Sequence, residues 1–152
     1  MKFKDLYSKY KLENRNKYVS IEFMENEVED AFLDRLASLL ANGCDIICFD
    51  GKILSDKNFV ELAKKVRLLT AQFGAIFLIK NRADVAFIVE ADGICLDEQG
   101  LEVKDCRQIL GENSLIGFES FDCKDVEDVD FFVTTNENFP CVVGRVFNIN
   151  KC

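Results

Sequence analysis

Histidine and tryptophan are both absent from this chain of 152 residues. Without imidazole, Ser–His–Asp and Cys–His nucleophile systems are excluded, and so is every His-ligated metal site. Any acid–base chemistry must be performed by Asp, Glu, Lys, Cys or Tyr side chains. Proline occurs once, at Pro140, and no linker, low-complexity tract or internal repeat interrupts the sequence. We therefore predict one domain over residues 1–152.

Positive charge is scarce, because 19 Lys and Arg residues stand against 27 Asp and Glu residues and the net charge is −8. A field of this sign repels nucleic acid and anionic membranes, so neither is expected as a partner. No apolar run approaches the ~20 residues needed to cross a bilayer. The polar N-terminus does not have the pattern of a signal peptide. We expect a cytoplasmic protein.

No CxxC motif is present, although the chain has seven cysteines. An odd, scattered set of cysteines without a secretion signal is typical of free thiols in a reducing compartment. Most of them are expected to be small buried hydrophobic residues. Apolar residues make up 49% of the chain, which is enough for a globular core.

Strand patterns alternate tightly with helix patterns, most clearly over residues 75–118. This alternation indicates parallel βαβ units. Helices are predicted from about residues 3–12, from Asn26 (with Glu29 completing a capping box), from the cap Ser55, and over residues 82–90 and 103–110. The predicted strands are Tyr18–Phe23, Asp45–Asp50, Ala75–Ile79, Gly93–Leu96, Leu115–Phe118, Asp130–Thr134 and Cys141–Phe147.

These elements predict an α/β fold, namely an incomplete (β/α) TIM-type barrel with about seven parallel strands that lacks the last βα unit. A complete eight-unit barrel takes at least about 200 residues. A parallel sheet that fails to close leaves bare edges on its first and last strands. A pinched seven-stranded barrel, an N-terminal segment over the gap, or a second subunit would each solve this problem. We expect the last solution, a homo-oligomer.

Several blocks resemble the thiamin-phosphate synthase and TenI-like family of (β/α)8 barrels. FLIKNRADVA (residues 77–86) is similar to the family's F-I-I-N-D-R-x-D-L-A, and ADGICLDEQGL (residues 91–101) to A-D-G-V-H-L-G-Q-E-D-L. ICFDGK (residues 47–52) lies where the family has x-Q-L-R-x-K, and Ile116–Gly117 lies in its I-I-G-x-S strand. The resemblance covers about residues 18–135. It implies an Mg²⁺-dependent transferase that joins a pyrimidine diphosphate to a thiazole phosphate with release of diphosphate.

According to the same resemblance, several positions that would bind the diphosphate carry different residues in this chain. Asp50 stands where the family has a diphosphate-binding Arg, and Cys48 stands where it has Gln. Only Lys52 keeps the pattern of that strand. Glu119 replaces the Ser of I-I-G-x-S, and Cys95 lies at the family's His position on the fourth strand.

The metal-binding positions that the resemblance implies are also altered. Lys80 and Asn81 occupy the family's Asn–Asp pair, and Gly100 occupies the Asp of its G-Q-E-D block. Two metal carboxylates are therefore replaced. Although the family uses Mg²⁺, we expect no cofactor here.

Read without the family, the C-terminal strand ends carry carboxylates and lysines that would converge on one mouth of a barrel. One hypothesis is a site for a hard divalent cation or an amine. The alternative is a solvated rim in which lysines pair with carboxylates, Lys80 with Asp50 or Asp97. The mouth candidates are Asp50, Lys52, Lys80, Asn81, Asp97, Glu98 and Glu119, with Glu22 beside them.

We interpret the chain as a shortened, catalytically degenerate relative of the family, a pseudoenzyme that acts as a binding or interaction protein and takes a small-molecule ligand. No catalytic residue is assigned, and the candidates at family site positions are Lys52, Lys80 and Asn81. One alternative is a diverged enzyme that acts on a small phosphorylated or cationic heterocycle at the C-terminal strand ends. Another is a folded remnant without a separate role.

Overall fold

The computed structural model describes residues 6, 9–12, 15, 17–119, 127–135 and 144–150. Half of the helix predicted at residues 3–12 lies outside these ranges. The helices are α1 (Glu29–Ala41), α2 (Asp56–Gln72), α3 (Ala83–Ile88) and α4 (Val103–Leu110). The strands are β1 (Tyr18–Glu22), β2 (Ile46–Asp50), β3 (Ile76–Lys80), β4 (Gly93–Leu96), β5 (Leu115–Glu119), β6 (Phe131–Thr135) and β7 (Gly144–Asn150).

The strands follow one another in chain order around a single sheet. Strands β1 to β6 pair in parallel with their sequence neighbours, which confirms the predicted incomplete TIM-type barrel. The predicted direction of the seventh strand is wrong, since β7 runs antiparallel to both β6 and β1. A parallel seventh strand would need a crossover of a dozen or more residues. Only residues 136–143 separate β6 from β7, and that length suits an antiparallel return.

Strand β7 pairs with both β1 and β6, so the first and last strands, whose edges were expected to be bare, are each other's partners. Its hydrogen bonds to both strands close the sheet into a seven-stranded barrel. Of the three solutions considered for an unclosed sheet, the closed barrel is therefore the one that the described backbone adopts. Since β1 and β7 are paired with each other, no bare edge on them requires a second subunit, and the homo-oligomer stays a prediction.

Alternate residues of each strand face opposite sides of the sheet, and the two sides build two separate cores. The outer side packs against the helices, where a chain of aromatic contacts joins Phe32 to Phe49 and Phe49 to Phe59 at centroid distances of 5.1 and 5.2 Å. The inner side forms a second cluster, which includes Leu6 and Leu12 from the N-terminal residues. The strand side chains of the inner cluster are Tyr18, Ile46, Cys48, Ile76, Leu78, Cys95, Leu115, Phe131 and Val133.

Two helix starts illustrate what local sequence patterns predict. Ser55 caps α2 as expected, because its Oγ accepts the backbone N–H of Asn58 at 3.2 Å. The capping box predicted at Asn26 is wrong: α1 begins later, at Glu29, and Glu27 instead accepts the backbone N–H of Met24 and pairs with Arg35. Within the described ranges, no helix is both long and apolar enough to cross a membrane.

Three aspartates, each immediately before an even-numbered strand, share one arrangement at the N-terminal end of the barrel. Each donates its backbone N–H to the carbonyl of a residue at the start of the preceding strand, and its carboxylate accepts the N–H of that same residue. A carboxylate that accepts a backbone N–H makes a charge-assisted hydrogen bond, which is stronger than a neutral one. The pairs are Asp45 with Lys17 (3.3 Å), Asp92 with Phe77 (2.8 Å) and Asp130 with Ile116 (2.7 Å).

Arginines from the helices hold two of these aspartates in place. Arg67 of α2 donates two hydrogen bonds to Asp92, at 2.9 and 3.1 Å. Arg107 of α4 donates to Asp130 at 2.9 Å and to the carbonyl of Ser114 at 2.6 Å. Each arginine therefore connects a helix to the aspartate that joins the next two strands.

We predict that Asp92→Ala lowers the free energy of unfolding by about 2–4 kcal/mol, because it leaves the Phe77 N–H and the Arg67 guanidinium without their acceptor. Urea denaturation followed by circular dichroism measures this loss. The matched control is Asp56→Ala, which removes an 85% exposed carboxylate that pairs with Arg82. The control should cost less than about 1 kcal/mol. Equal losses in the two variants would contradict the role assigned to Asp92.

Candidate functional site

Lys80, at the end of β3, is the centre of a polar cluster inside the barrel mouth. Its ammonium contacts Oε2 of Glu119 at the end of β5 and lies 3.8 Å from Oδ2 of Asp97 after β4. The hydroxyl of Tyr18, at the start of β1, donates to Oε1 of Glu119 at 2.8 Å. The Lys80 side chain is 9% exposed and Tyr18 is fully buried, so the cluster is largely shielded from water.

The charges of this cluster shift the titration of its members. Burial alone lowers the pKa of Lys80, but the facing Cys48 and Glu119 groups outweigh burial, and the pKa is raised overall. Lys80 is therefore a charged ammonium at neutral pH and not a nucleophilic amine. Burial, together with Cys48, Cys95 and Glu119, also raises the pKa of the Tyr18 hydroxyl.

Two thiols lie on the inner face of the barrel next to this cluster. Cys48 of β2 and Cys95 of β4 are both fully buried. Burial and the hydrogen bond with Cys48 raise the pKa of Cys95. A thiol in this state is a poor nucleophile. The position at which the resemblance has a His therefore carries an inert side chain.

Asn81 joins the loop after β3 to the loop after β4. Its Nδ2 donates to Oδ1 of Asp97 at 2.9 Å, and its Oδ1 accepts the backbone N–H of Asp97 at 3.0 Å. Gly100 lies against this pair, because a Cβ at that position would be 2.4 Å from Oδ1 of Asn81. Asn81 and Gly100, the two positions at which the resemblance implies metal carboxylates, thus form one tight contact.

The remaining mouth candidates form a second group on β1 and β2. Glu22 and Asp50 are register partners, and Nζ of Lys52 lies 3.7 Å from Oε2 of Glu22. The Asp50 carboxylate accepts the backbone N–H of Lys52 at 3.1 Å, which closes its own turn. The Lys52 and Glu22 side chains are at least half exposed, so water screens this pair strongly.

An acidic groove of about 740 Å³ lies beside the Lys80 cluster. Its lining includes the apolar side chains of Leu101, Val103 and Phe118. Five carboxylates and Lys104 also line it, and the exposed Glu98 is among them. The carboxylates are Asp97, Glu98, Glu102, Glu127 and Asp128.

The structure brings together Lys80, Asn81, Asp97 and Glu119, and it places Asp50 and Lys52 in a separate group. The predicted pairing of Lys80 with Asp97 is present at 3.8 Å, while Glu119 makes the closer contact. The role of these residues as a ligand site stays a prediction. Sequence reasoning missed Tyr18, because only strand ends were considered; its place on the inner face of β1, with Glu22 on the same face, was the available signal.

The family model described as thiamine monophosphate synthase (TMP-TENI) matches residues 21–142. The chain belongs to this family. A thiamine-phosphate synthase of Campylobacter jejuni is 34% identical to the chain over 111 residues, which is 73% of this chain and 51% of that protein. A thiamine-phosphate synthase of a Nostoc species is 33% identical over 95 residues, 62% of this chain and 27% of that protein.

Among solved structures, thiamine phosphate pyrophosphorylase of Pyrococcus furiosus matches the fold with a TM-score of 0.72 and 23% sequence identity. The match covers 87% of this chain and 65% of that protein. At this identity the likeness supports the fold alone. The chain spans about half the length of the Campylobacter relative, so the activity of a whole family enzyme does not transfer to it by similarity.

We predict a strong coupling between Gly100 and Asn81. Gly100→Ala should lower the free energy of unfolding by about 1–3 kcal/mol, since the new methyl group displaces the Asn81 amide from its two hydrogen bonds with Asp97. In the Asn81→Ala background the same change should cost less than half as much, because the obstructing amide is gone. Chemical denaturation of the four proteins in this cycle gives the coupling energy. Additive losses would contradict the contact.

We also predict that the four cysteines described as buried resist thiol reagents in the folded protein. These are Cys44, Cys48, Cys95 and Cys106. Burial, the largest effect, raises the pKa of Cys44 to about 12, so little thiolate exists at neutral pH. Peptide mass spectrometry after iodoacetamide treatment should show labelling at least about 100-fold slower than in 6 M urea. Fast labelling of Cys95 in the folded protein would contradict its inert state.

Proposed function

We propose that this family member does not catalyse the diphosphate-releasing condensation and that it acts as a binding or interaction protein. The observation that carries the proposal is the contact between the Lys80 ammonium and the Glu119 carboxylate. A lysine that binds a diphosphate must have its ammonium group available to the ligand. Here the ammonium already contacts one carboxylate and lies 3.8 Å from a second.

The charge of the mouth supports the same conclusion. Five carboxylates and two ammonium groups line the C-terminal strand ends, and both lysines lie within 4 Å of a carboxylate. Each charged hydrogen bond to a ligand contributes about 1.5–3 kcal/mol. At the position where the family resemblance has Arg, Asp50 repels an anionic ligand instead of donating such a hydrogen bond to it. Several losses of this size reduce a rate by many orders of magnitude.

The Mg²⁺ that the family resemblance implies does not fit the residues present. Asn81 offers an amide that is engaged with Asp97 in both directions, and Gly100 offers no ligand. Across the described ranges, no group of three or more Cys, Asp or Glu side chains is arranged to hold a metal ion. No step of a reaction is therefore assigned to a metal.

The remaining chemistry of the mouth favours neutral or cationic small ligands. Carboxylates outnumber ammonium groups at the strand ends, and the lining of the adjacent groove combines apolar side chains with five carboxylates. Small-molecule sites commonly have this combination of apolar surface and few polar groups. The same field disfavours phosphorylated ligands.

The test is to incubate the 152-residue protein with the pyrimidine diphosphate, the thiazole phosphate and Mg²⁺, and to measure thiamin phosphate by mass spectrometry and diphosphate release by a coupled assay. We expect no product above the protein-free background. The Campylobacter jejuni relative, assayed in parallel, shows that the reagents and detection work. Product formation by this protein that scales with its concentration would refute the proposal.

A further inference from the structure

The Glu119 carboxylate is contacted by two donors inside the barrel mouth. The Lys80 ammonium contacts Oε2 of its carboxylate, and the Tyr18 hydroxyl donates to Oε1 at 2.8 Å. A cation and a hydroxyl donor directed at the two oxygens of one carboxylate form an arrangement suited to binding carboxylate or phosphate ligands. We propose that Glu119 is the internal occupant of an anion site built by Lys80 and Tyr18, and that it determines ligand specificity at the mouth by excluding external small anions.

The burial of the three side chains supports this assignment. Tyr18 is fully buried, and the side chains of Lys80 and Glu119 are 9% and 16% exposed. A buried ammonium needs a compensating negative charge, because desolvation costs several kcal/mol. The site therefore has to be filled by an anion, and in this chain the anion is covalently attached.

Covalent attachment gives Glu119 an advantage over any anion in solution. A group tethered within reach of its site acts at an effective concentration on the order of millimolar or above. Asp97 adds a second negative charge 3.8 Å from the Lys80 ammonium, although its Oδ1 also accepts the Asn81 amide and the Gln99 backbone N–H. An external carboxylate or phosphate at low millimolar concentration must compete against both.

Backbone geometry explains how three distant residues meet. Lys80 pairs with Cys95 in the β3–β4 register, and Cys95 pairs with Gly117 in the β4–β5 register. Glu119 follows Gly117 by two residues and so faces the same side of the sheet. Tyr18 reaches it from the inner face of β1. Rigid strands thus fix both donors and the carboxylate.

This inference deepens the proposed function and rests on it for the statement that the mouth is the ligand site. The experiment measures anion binding, whereas the test of the proposed function measures product formation. Either proposal can therefore fail while the other holds. Formate and inorganic phosphate are titrated separately at constant ionic strength, with chloride as the balancing ion. The melting temperature is recorded for the wild type, Glu119→Ala and the double variant Lys80→Met with Glu119→Ala. Glu61→Ala is the matched control, since it removes one exposed carboxylate on α2 that is not among the mouth residues.

We expect Glu119→Ala to melt at a lower temperature than the wild type and to recover with added formate, phosphate or both in a saturable manner. The apparent affinity for at least one of these anions should be about tenfold or more higher than in the wild type or in Glu61→Ala. The response should be lost in the double variant, which has no ammonium. If Glu119→Ala does not fold, Glu119→Gln keeps the side-chain volume and is compared with Lys80→Met with Glu119→Gln in the same way. Anion binding equal to that of the wild type, or binding that persists without Lys80, would overturn the inference.

Discussion

The contact between the Lys80 ammonium and the Glu119 carboxylate is the interaction on which the described site depends. It joins the ends of β3 and β5 across the barrel interior, with Tyr18 as a second donor to the same carboxylate. Because an uncompensated charge is costly in a shielded interior, removal of either partner alone destabilises the site. Glu119, together with the facing Cys48, keeps Lys80 in its charged state.

Family membership and the altered mouth are compatible, because a fold and an activity are separable properties. The framework of the family is retained in the parallel strands β1 to β6 and in the residues of the βα loops that match the family blocks. At the strand ends, side chains that would offer positive charge to a ligand are instead paired with side chains of the chain itself. The barrel geometry is therefore retained, while the ammonium groups of the mouth are paired with carboxylates of the same chain.

Most helices and strands could be predicted from the sequence, because the residues that determine each of them are neighbours in the chain. The predicted bounds of β4 (Gly93–Leu96) and α4 (Val103–Leu110) agree with the structure. The apolar residues that define each segment lie within it, and the turn residues that end it lie next to it. The orientation of β7 did not follow from its own residues. It depends on the length of the connection from β6 and on two edges that lie far away in the sequence.

The candidate site was predictable to the same extent. Parallel strands end at one edge, so Lys80, Asn81, Asp97 and Glu119 could be placed together from the strand pattern alone. The hydrogen bond from Tyr18 to Glu119 spans 101 positions of the chain. It depends on how the closed sheet brings the start of one strand near the end of another, and no local pattern encodes that stagger. Glu119 was placed in the mouth from the strand pattern, but its contact with Lys80 was not predicted.

The aspartates that precede β2, β4 and β6 have a consequence for how the barrel divides. Each one fastens its strand to the strand before it, whereas Ala75 and Ser114, which precede β3 and β5, have no carboxylate with which to repeat the bond. At the N-terminal end of the barrel, the pairs β1–β2, β3–β4 and β5–β6 therefore each have a carboxylate bond that β2–β3 and β4–β5 do not have. Substitution of one aspartate thus acts first on one pair of strands, because its carboxylate bonds only the strand before its own.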